Sequence, residues 1–143
     1  MNTPTDSQLM ATTANLIVLS RAYRGAADKA LADYGLSQAT AWPVILTGRL
    51  GDGVRQGALA EALGVEGPSL VRVLDQLVAA GLMERREDTH DRRAKTLHLT
   101  EAGNALRKQV EDVLVELRRR LFDGVSEADL QACLRVFLSL IHI

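Results

Sequence analysis

The sequence contains a single cysteine, Cys133, and no apolar run that approaches the roughly 20 residues of a membrane-spanning helix. One cysteine forms neither an internal disulfide nor a cysteine-rich zinc site. Because Cys133 falls on the apolar side of a predicted last helix, we expect it to be a small buried side chain. The polar segment 1–7 lacks the basic-then-apolar order of a signal peptide. These absences predict a cytoplasmic protein with no membrane contact.

An excess of charge of one sign is also missing, because 17 lysines and arginines face 18 aspartates and glutamates. The chain therefore lacks the overall basicity of many nucleic-acid-binding proteins. The three histidines, His90, His98 and His142, have no partners at metal-ligand spacing. Neither a G-x-S-x-G turn nor a phosphate-binding loop occurs. The sequence predicts no metal site, no cofactor and no enzyme.

The composition that is present, 47% apolar and 24% charged in 143 residues, is typical of one folded domain. Apolar residues recur at three- and four-residue steps between positions 9 and 31, which predicts a helix with one buried stripe. Gly35 ends this pattern, and Ser37 is suited to cap a second helix that contains Pro43. A Gly-Asp-Gly turn at 51–53 closes this part of the chain.

The middle of the chain predicts a pair of helices joined by a tight turn. A short helix covers 56–63 and is ended by Gly64. A second helix is expected over about 67–80, since Pro68 suits a first helical turn and Gly81 suits the position after the last one.

A hairpin follows the helix pair. Segments 82–86 and 95–99 are predicted strands, and the polar tip 87–93 joins them. A long amphipathic helix that stops at Gly124 comes next, and Ser126 heads the last helix. Two helices, a tight turn and an arginine-tipped hairpin form the layout of a winged helix-turn-helix, a mainly α fold with a small β-hairpin wing.

The start of the helix at 67–80 carries the first candidate DNA contacts. Its leading turn offers Pro68 and Ser69, with Arg72 one turn further on. Ser69 is short enough to reach a base or a phosphate, and Arg72 suits a bidentate contact to guanine or a phosphate clamp. The alternative, which this segment alone leaves open, is that Arg72 is an ordinary solvated arginine.

The hairpin tip carries the second set, Asp91, Arg92 and Arg93. An arginine at the tip of a hairpin can enter the narrow minor groove, where the negative potential is enhanced. Asp91, two residues before Arg93, is placed to orient its guanidinium through a charge-assisted hydrogen bond. A solvated loop is the alternative interpretation.

These residues resemble the MarR family of bacterial regulators. The motif Asp91-x-Arg93 with a Leu-Thr pair at 99–100 resembles the D-x-R…L-T signature of the family's wing. The runs 68–77 and 91–95 are similar to the SlyA branch, and the similarity in element order covers nearly the whole chain.

The resemblance implies a single domain, 1–143, that regulates transcription. A winged lobe is expected over about 36–100, and dimerisation helices over about 7–34 and 101–143. Two copies would bind a pseudo-palindromic operator on double-stranded DNA. We expect a repressor; an activator is the alternative, because the outcome depends on where the operator lies relative to a promoter. The apolar stretch 137–141 agrees with this, because it would leave an exposed patch on a monomer.

The resemblance also implies residue roles. Six residues match DNA-contacting positions: Pro68, Ser69 and Arg72 in the recognition helix, and Asp91, Arg92 and Arg93 in the wing. The alternative function is a winged helix that binds protein and not DNA, since the fold does not oblige DNA binding.

A small-molecule switch is the last expectation. Arg21 and Arg24 match basic positions that, in SlyA-like members, hold the carboxylate of a phenolic or aromatic ligand, and Tyr23 is close enough to cover its ring. Two solvated arginines, or salt bridges between subunits, are the alternative. The chain departs from many relatives here, because Trp42 comes one residue after Ala41, the position that holds their tryptophan.

Overall fold

The computed structural model describes residues 2–141. Met1, His142 and Ile143 lie outside the described residues, and the histidine considered at the C-terminus is therefore among them. The described helices and strands are, in chain order, α1 (Asp6–Leu31), α2 (Gln38–Leu50), β1 (Val54–Arg55), α3 (Gln56–Leu63), α4 (Gly67–Ala79), β2 (Met83–Glu87), β3 (Lys95–Leu99), α5 (Glu101–Leu121) and α6 (Glu127–Leu140). Within 2–141 no helix has the length and apolar character to cross a bilayer.

The helices begin and end where local chemistry favours it. Ser37 forms a capping box with Thr40, in which each side chain accepts a hydrogen bond from the other residue's backbone amide. Thr100 caps α5 and Ser126 caps α6 by one such hydrogen bond each, which the side-chain oxygen accepts from the backbone amide three residues later. Gly64 takes the left-handed conformation, with φ +66°, directly after α3. The predicted starts and stops of these helices are confirmed.

The strands form one antiparallel sheet in the order β1-β3-β2. The pairing of β2 with β3 runs from Met83 opposite Leu99 to Glu87 opposite Lys95, as the hairpin prediction requires. Strand β1 was not predicted; it pairs only Val54 with Leu97 and Arg55 with Thr96. A two-residue strand is too short for an alternating pattern to reveal it.

The core lies in the lobe that α2, α3, α4 and the sheet form, and it extends to the second half of α1 and to α5. In α4 the buried side chains are Leu70, Leu74 and Leu77, which share one helix face. A Cβ on Gly103 would collide with the backbone carbonyl of Leu82, so α5 can cross the base of the hairpin only with glycine there. Further fully buried side chains are Leu31, Ile45, Leu59, Met83, Leu97 and Leu114.

The two ends of the chain lie outside this core. Helix α6 buries none of its residues, and in α1 only Ala27 and Leu31 are buried. The buried stripe predicted for the first helix is therefore confirmed only near its C-terminal end. The expectation that Cys133 is buried is wrong for the single chain, because residues 2–141 leave that face of α6 uncovered and Cys133 is exposed. The predicted exposure of 137–141 is confirmed, with Leu138 63% exposed.

Candidate nucleic-acid interface

The helix-turn-helix consists of α3 and α4. The backbone amide of Val65 donates to the carbonyl of Ala60, which folds the turn back on α3. Because α4 buries its leucine face against the lobe, its opposite face projects outward. Pro68, Ser69 and Arg72 are all exposed on it. Within residues 2–141 Arg72 forms no ion pair, so its guanidinium is available to a ligand.

Helix α4 is anchored to the hairpin by a pair that the sequence analysis missed. The Nη2 atom of Arg85, on β2, lies 2.6 Å from Oδ1 of Asp75 and 3.3 Å from the carbonyl oxygen of Val71. These contacts fix the middle of the recognition helix against the sheet. A ten-residue separation gives no helical or strand periodicity, so no sequence pattern pointed to this pair.

The wing tip, residues 88–94, joins β2 to β3. Oδ1 of Asp91 accepts a hydrogen bond from the backbone amide of Arg93 at 3.0 Å and lies 3.4 Å from its Nε. The Arg93 side chain is otherwise 94% exposed. Arg92 is exposed as well, and in the described part of the chain it has no acidic partner. The tip thus presents two guanidinium groups to solvent.

Asp88, at the base of the wing tip, was also missed by the sequence analysis. Its Oδ2 lies 2.6 Å from Nη2 of Arg55, and its Oδ1 accepts from the amide of His90 at 3.0 Å. The His90 amide lowers the pKa of the Asp88 carboxyl most; the Arg55 guanidinium lowers it further, while burial opposes both. Asp88 is therefore ionised at neutral pH.

A groove of about 470 Å³, here called the wing groove, lies between the helix pair and the hairpin. Its lining includes Arg55, Gly57 and Gly67 at the starts of α3 and α4, and Arg93 and Lys95 from the hairpin. It places the leading end of the recognition helix beside the wing on one side of the lobe. Arg72, Ser69 and Arg92 are not part of this lining.

A second cavity, here called the α1–α2 cavity, has a volume of about 330 Å³ and lies between α1, α2 and the helix pair. Of the three predicted ligand contacts, only Arg24 lines it. Arg21 is exposed, and Tyr23 is half-buried against the core. The structure therefore does not bring the three side chains together in one cavity.

Trp42 and Ser69 also line the α1–α2 cavity. The neighbour of Trp42, Ala41, is buried in the core, so the shifted tryptophan and not residue 41 reaches this site. Ser69 comes from the leading turn of α4. The cavity and the recognition helix thus share a residue. Sequence spacing could not show this, because the contact joins α1 and α2 to a helix more than 25 positions away.

No group of three His, Cys, Asp or Glu side chains within 2–141 is placed to hold a metal ion. His98 lies on β3 with its Nδ1 3.0 Å from Oδ1 of Asp52 and its Nε2 3.0 Å from the hydroxyl of Thr96. The contact with Asp52 joins the turn before β1 to the sheet.

An exposed polar helix face beside an arginine-tipped hairpin defines a winged helix-turn-helix protein of the DNA-binding class. The MarR family profile matches residues 34–94. The transcriptional regulator PA3341 is 34% identical, with a TM-score of 0.82 over 92% of this chain and 96% of that one. A MarR-family transcriptional regulator from Rhodococcus sp. RHA1 is 25% identical, with a TM-score of 0.82 over 96% of both chains. CouR from Rhodococcus jostii RHA1, solved with bound p-coumaroyl-CoA, is 25% identical, with a TM-score of 0.78 over 87% of both chains.

The chain belongs to the MarR family of transcriptional regulators. The family assignment made from the wing motif is confirmed, and so is the winged helix-turn-helix fold.

Proposed function

We propose that this regulator is a cytoplasmic repressor, not an enzyme, that binds a pseudo-palindromic operator as a homodimer and is released by a small aromatic carboxylate or phenolic ligand. The observation that carries the proposal is the wing groove, which sets the start of α4 beside Arg93 on one side of the lobe. A duplex that lies along this side can meet the helix in its major groove and the hairpin in the adjacent minor groove.

Within this proposal the six predicted residues have three roles: contact with the major groove, contact with the minor groove, and positioning of Arg93. Pro68, Ser69 and Arg72 meet the major groove, and Arg72 has no competing acidic partner among the described residues. Arg92 and Arg93 meet the minor groove. Asp91 holds Arg93 through the contacts at 3.0 and 3.4 Å.

The homodimer is supported by the uncovered ends of the chain. A groove of about 610 Å³ between α1 and α6 is lined mostly by apolar side chains, among them Leu16, Leu19 and Phe137. A second copy that packs α1 and α6 against these surfaces would remove them from water. Helices at about 7–34 and 101–143 would then form the dimer, with a winged lobe over about 36–100. Two-fold symmetry would set the recognition helices roughly 34–36 Å apart, one turn of DNA.

The effector proposal depends mainly on Arg24. Its guanidinium suits a carboxylate, and the indole of Trp42 in the same cavity suits an aromatic ring. Arg21 and Tyr23 neighbour Arg24 on α1 and would form the rim. Because Ser69 lines this cavity, a bound ligand would contact the recognition helix directly. CouR, of the same fold, binds a phenolic ligand in p-coumaroyl-CoA.

The SlyA-like branch is part of the same proposal. It depends on the runs 68–77 and 91–95, which hold the exposed residues of the recognition helix and the wing tip.

Selection of duplexes from a random pool by the purified protein, with and without salicylate, tests these points. We expect a palindrome with half-sites one helical turn apart, and its loss in salicylate. Replacing Arg24 with Gln should remove the salicylate effect and leave the palindrome unchanged. No enriched duplex at low salt would favour the alternative, a winged helix that binds protein.

A further inference from the structure

The wing tip is tied to the rest of the lobe by one buried carboxylate. Among the described residues Asp88 is the only charged residue that is buried, and its side chain is 10% exposed. Its backbone amide donates to the carbonyl of Ala94 at 3.1 Å, which closes the tip. Its two carboxylate oxygens contact the amide of His90 and the guanidinium of Arg55. Asp88 therefore helps to order the tip, as Asp91 does, and also joins the tip to β1.

The sheet alone cannot hold the tip in place. The pairing of β2 with β3 stops at Glu87 and Lys95, and β1 pairs with β3 only as far as Thr96. Arg55 is the last residue of β1 and directly precedes α3, the first helix of the helix-turn-helix. Its side chain reaches beyond the end of the sheet to Asp88. This ion pair thus connects the tip to the start of the helix pair.

We propose that Arg55 and Asp88 are positioning residues that hold the wing tip in the orientation in which Arg93 meets DNA. The inference rests on the proposed DNA-binding function and adds two residues that act through Arg93. A tip that is already ordered pays less conformational entropy when it binds. Without the pair, the orientation of residues 88–94 relative to β1 would have to be fixed by the duplex itself, and affinity would fall.

The direction in which one substitution changes DNA affinity distinguishes a positioning role from a purely electrostatic one. Asp88→Asn removes a negative charge from the DNA-facing side of the lobe while keeping the size of the side chain. Since DNA is an anion, charge alone predicts tighter binding. Positioning predicts weaker binding, because the charge-assisted contact to Arg55 is lost.

The experiment measures duplex affinity against salt for the full chain and its variants. The probe is the duplex enriched in the selection, or a random-sequence duplex at low salt if none is enriched. We expect Asp88→Asn to weaken binding roughly tenfold, as for loss of one charge-assisted hydrogen bond, with an unchanged salt slope. The matched control is Glu87→Gln, which removes the same charge one residue earlier. The Glu87 carboxylate makes only a long contact, of 3.8 Å, with Nζ of Lys95. This control should bind as tightly as the parent or more tightly.

Substitutions of the partner complete the test. Arg55→Gln should match Asp88→Asn, and the double variant should bind no worse than either single one, because both remove the same interaction. Arg55→Lys should recover part of the affinity. If Arg55→Gln weakens binding much more than Asp88→Asn and lowers the salt slope by about one, Arg55 is a phosphate contact and the positioning role is wrong.

Hydrogen exchange in the free protein tests the same inference without DNA. Asp88→Asn should speed exchange at the amides of residues 88 and 90, whereas Glu87→Gln should not. Unchanged exchange, or unchanged or tighter DNA binding by Asp88→Asn, overturns the inference. If the parent protein binds no duplex, the proposed function fails, while the exchange still reports whether the pair holds the tip.

Discussion

The winged lobe and the two helical ends carry similar apolar residues, but these residues are buried in the lobe and largely exposed at the ends. In the lobe, three leucines of α4 are buried in a closed core: Leu70, Leu74 and Leu77. In α6, Leu134 and Phe137 have comparable helical spacing, yet they are 45% and 39% exposed. The difference lies in what faces each helix: α3 and the sheet pack against α4, whereas the described part of the chain leaves α6 uncovered.

This contrast separates a closed core, which reaches from the lobe into α1 and α5, from the uncovered apolar surface of α6 and of the first half of α1. An apolar patch of this size on a monomer marks an interaction site. It also explains why Cys133 is exposed at a position that looks buried from the sequence, because its cover belongs to another molecule in the proposed dimer. The two regions should therefore respond differently to equivalent substitutions.

The largest effect is expected in the lobe. Leu74→Ala removes a fully buried side chain and should lower the free energy of unfolding by about 2–5 kcal/mol. Thermal or denaturant unfolding measures this. Leu138→Ala on α6 is the matched control, with both variants measured below the concentration at which the proposed dimer forms; because Leu138 is 63% exposed in the single chain, its loss there should change the stability little. Equal losses from the two substitutions would show that the ends and the lobe unfold as one unit.

The next effect concerns the ends. Phe137→Glu places a charge in the groove between α1 and α6, and we expect it to weaken dimerisation by about a hundredfold, since an unpaired charge would have to be buried. Sedimentation across a concentration series measures the dissociation constant. The circular dichroism of the lobe should be unchanged. A variant that remains dimeric to the same dilution would contradict the proposed interface.

How well the sequence predicted each region follows from the same contrast. The lobe was predictable because its signals are local: Ser37 caps a helix, Gly64 ends one, and the hairpin flanks a polar tip. What escaped prediction depends on pairs distant in sequence, such as Arg55 with Asp88, or on a strand of only two residues. The periodic pattern of apolar residues does not show which side chains distant in sequence contact each other after folding.

The candidate site divides in the same way. The wing motif located Asp91 and Arg93, whose contact is local, at two residues' separation. The α1–α2 cavity was harder to predict, since its lining comes from four helices. Helical spacing placed Arg21 and Arg24 on one face of α1 but could not show that only Arg24 reaches the cavity.

Arg72→Ala tests whether each lobe reads sequence. If Arg72 makes a bidentate base contact, its loss should cost about 1–3 kcal/mol of binding free energy and relax specificity at one base pair of each half-site. Competition binding with a set of operator variants measures this. A loss that is the same for all variants would assign Arg72 to a phosphate instead.

Arg93→Ala tests the other contact of the lobe. A wing arginine in the minor groove reads shape more than base identity, so its loss should weaken binding about tenfold across many sequences. Because its only described partner is Asp91 at the exposed tip, the stability of the free protein should not change. Unchanged affinity would remove Arg93 from the interface.

The smallest effect lies inside the lobe and raises its stability. Thr47 on α2 is 1% exposed, and its hydroxyl has no hydrogen-bond partner among the described residues. A buried hydroxyl without a partner loses its hydration and gains nothing in return, so Thr47→Val should increase the free energy of unfolding by about 1 kcal/mol. Threonine and valine have similar helix propensity, which leaves the hydroxyl as the main difference.

The matched control for Thr47 is Thr40→Val on the same helix. The hydroxyl of Thr40 accepts a hydrogen bond from the amide of Ser37 at 2.8 Å, so the same chemical change there should destabilise the lobe. Opposite signs for the two substitutions would show that hydrogen bonding, and not valine itself, sets the effect. If Thr47→Val lowers the unfolding midpoint, the hydroxyl has a partner in solution, and the lobe is less tightly closed against water than its contrast with the ends implies.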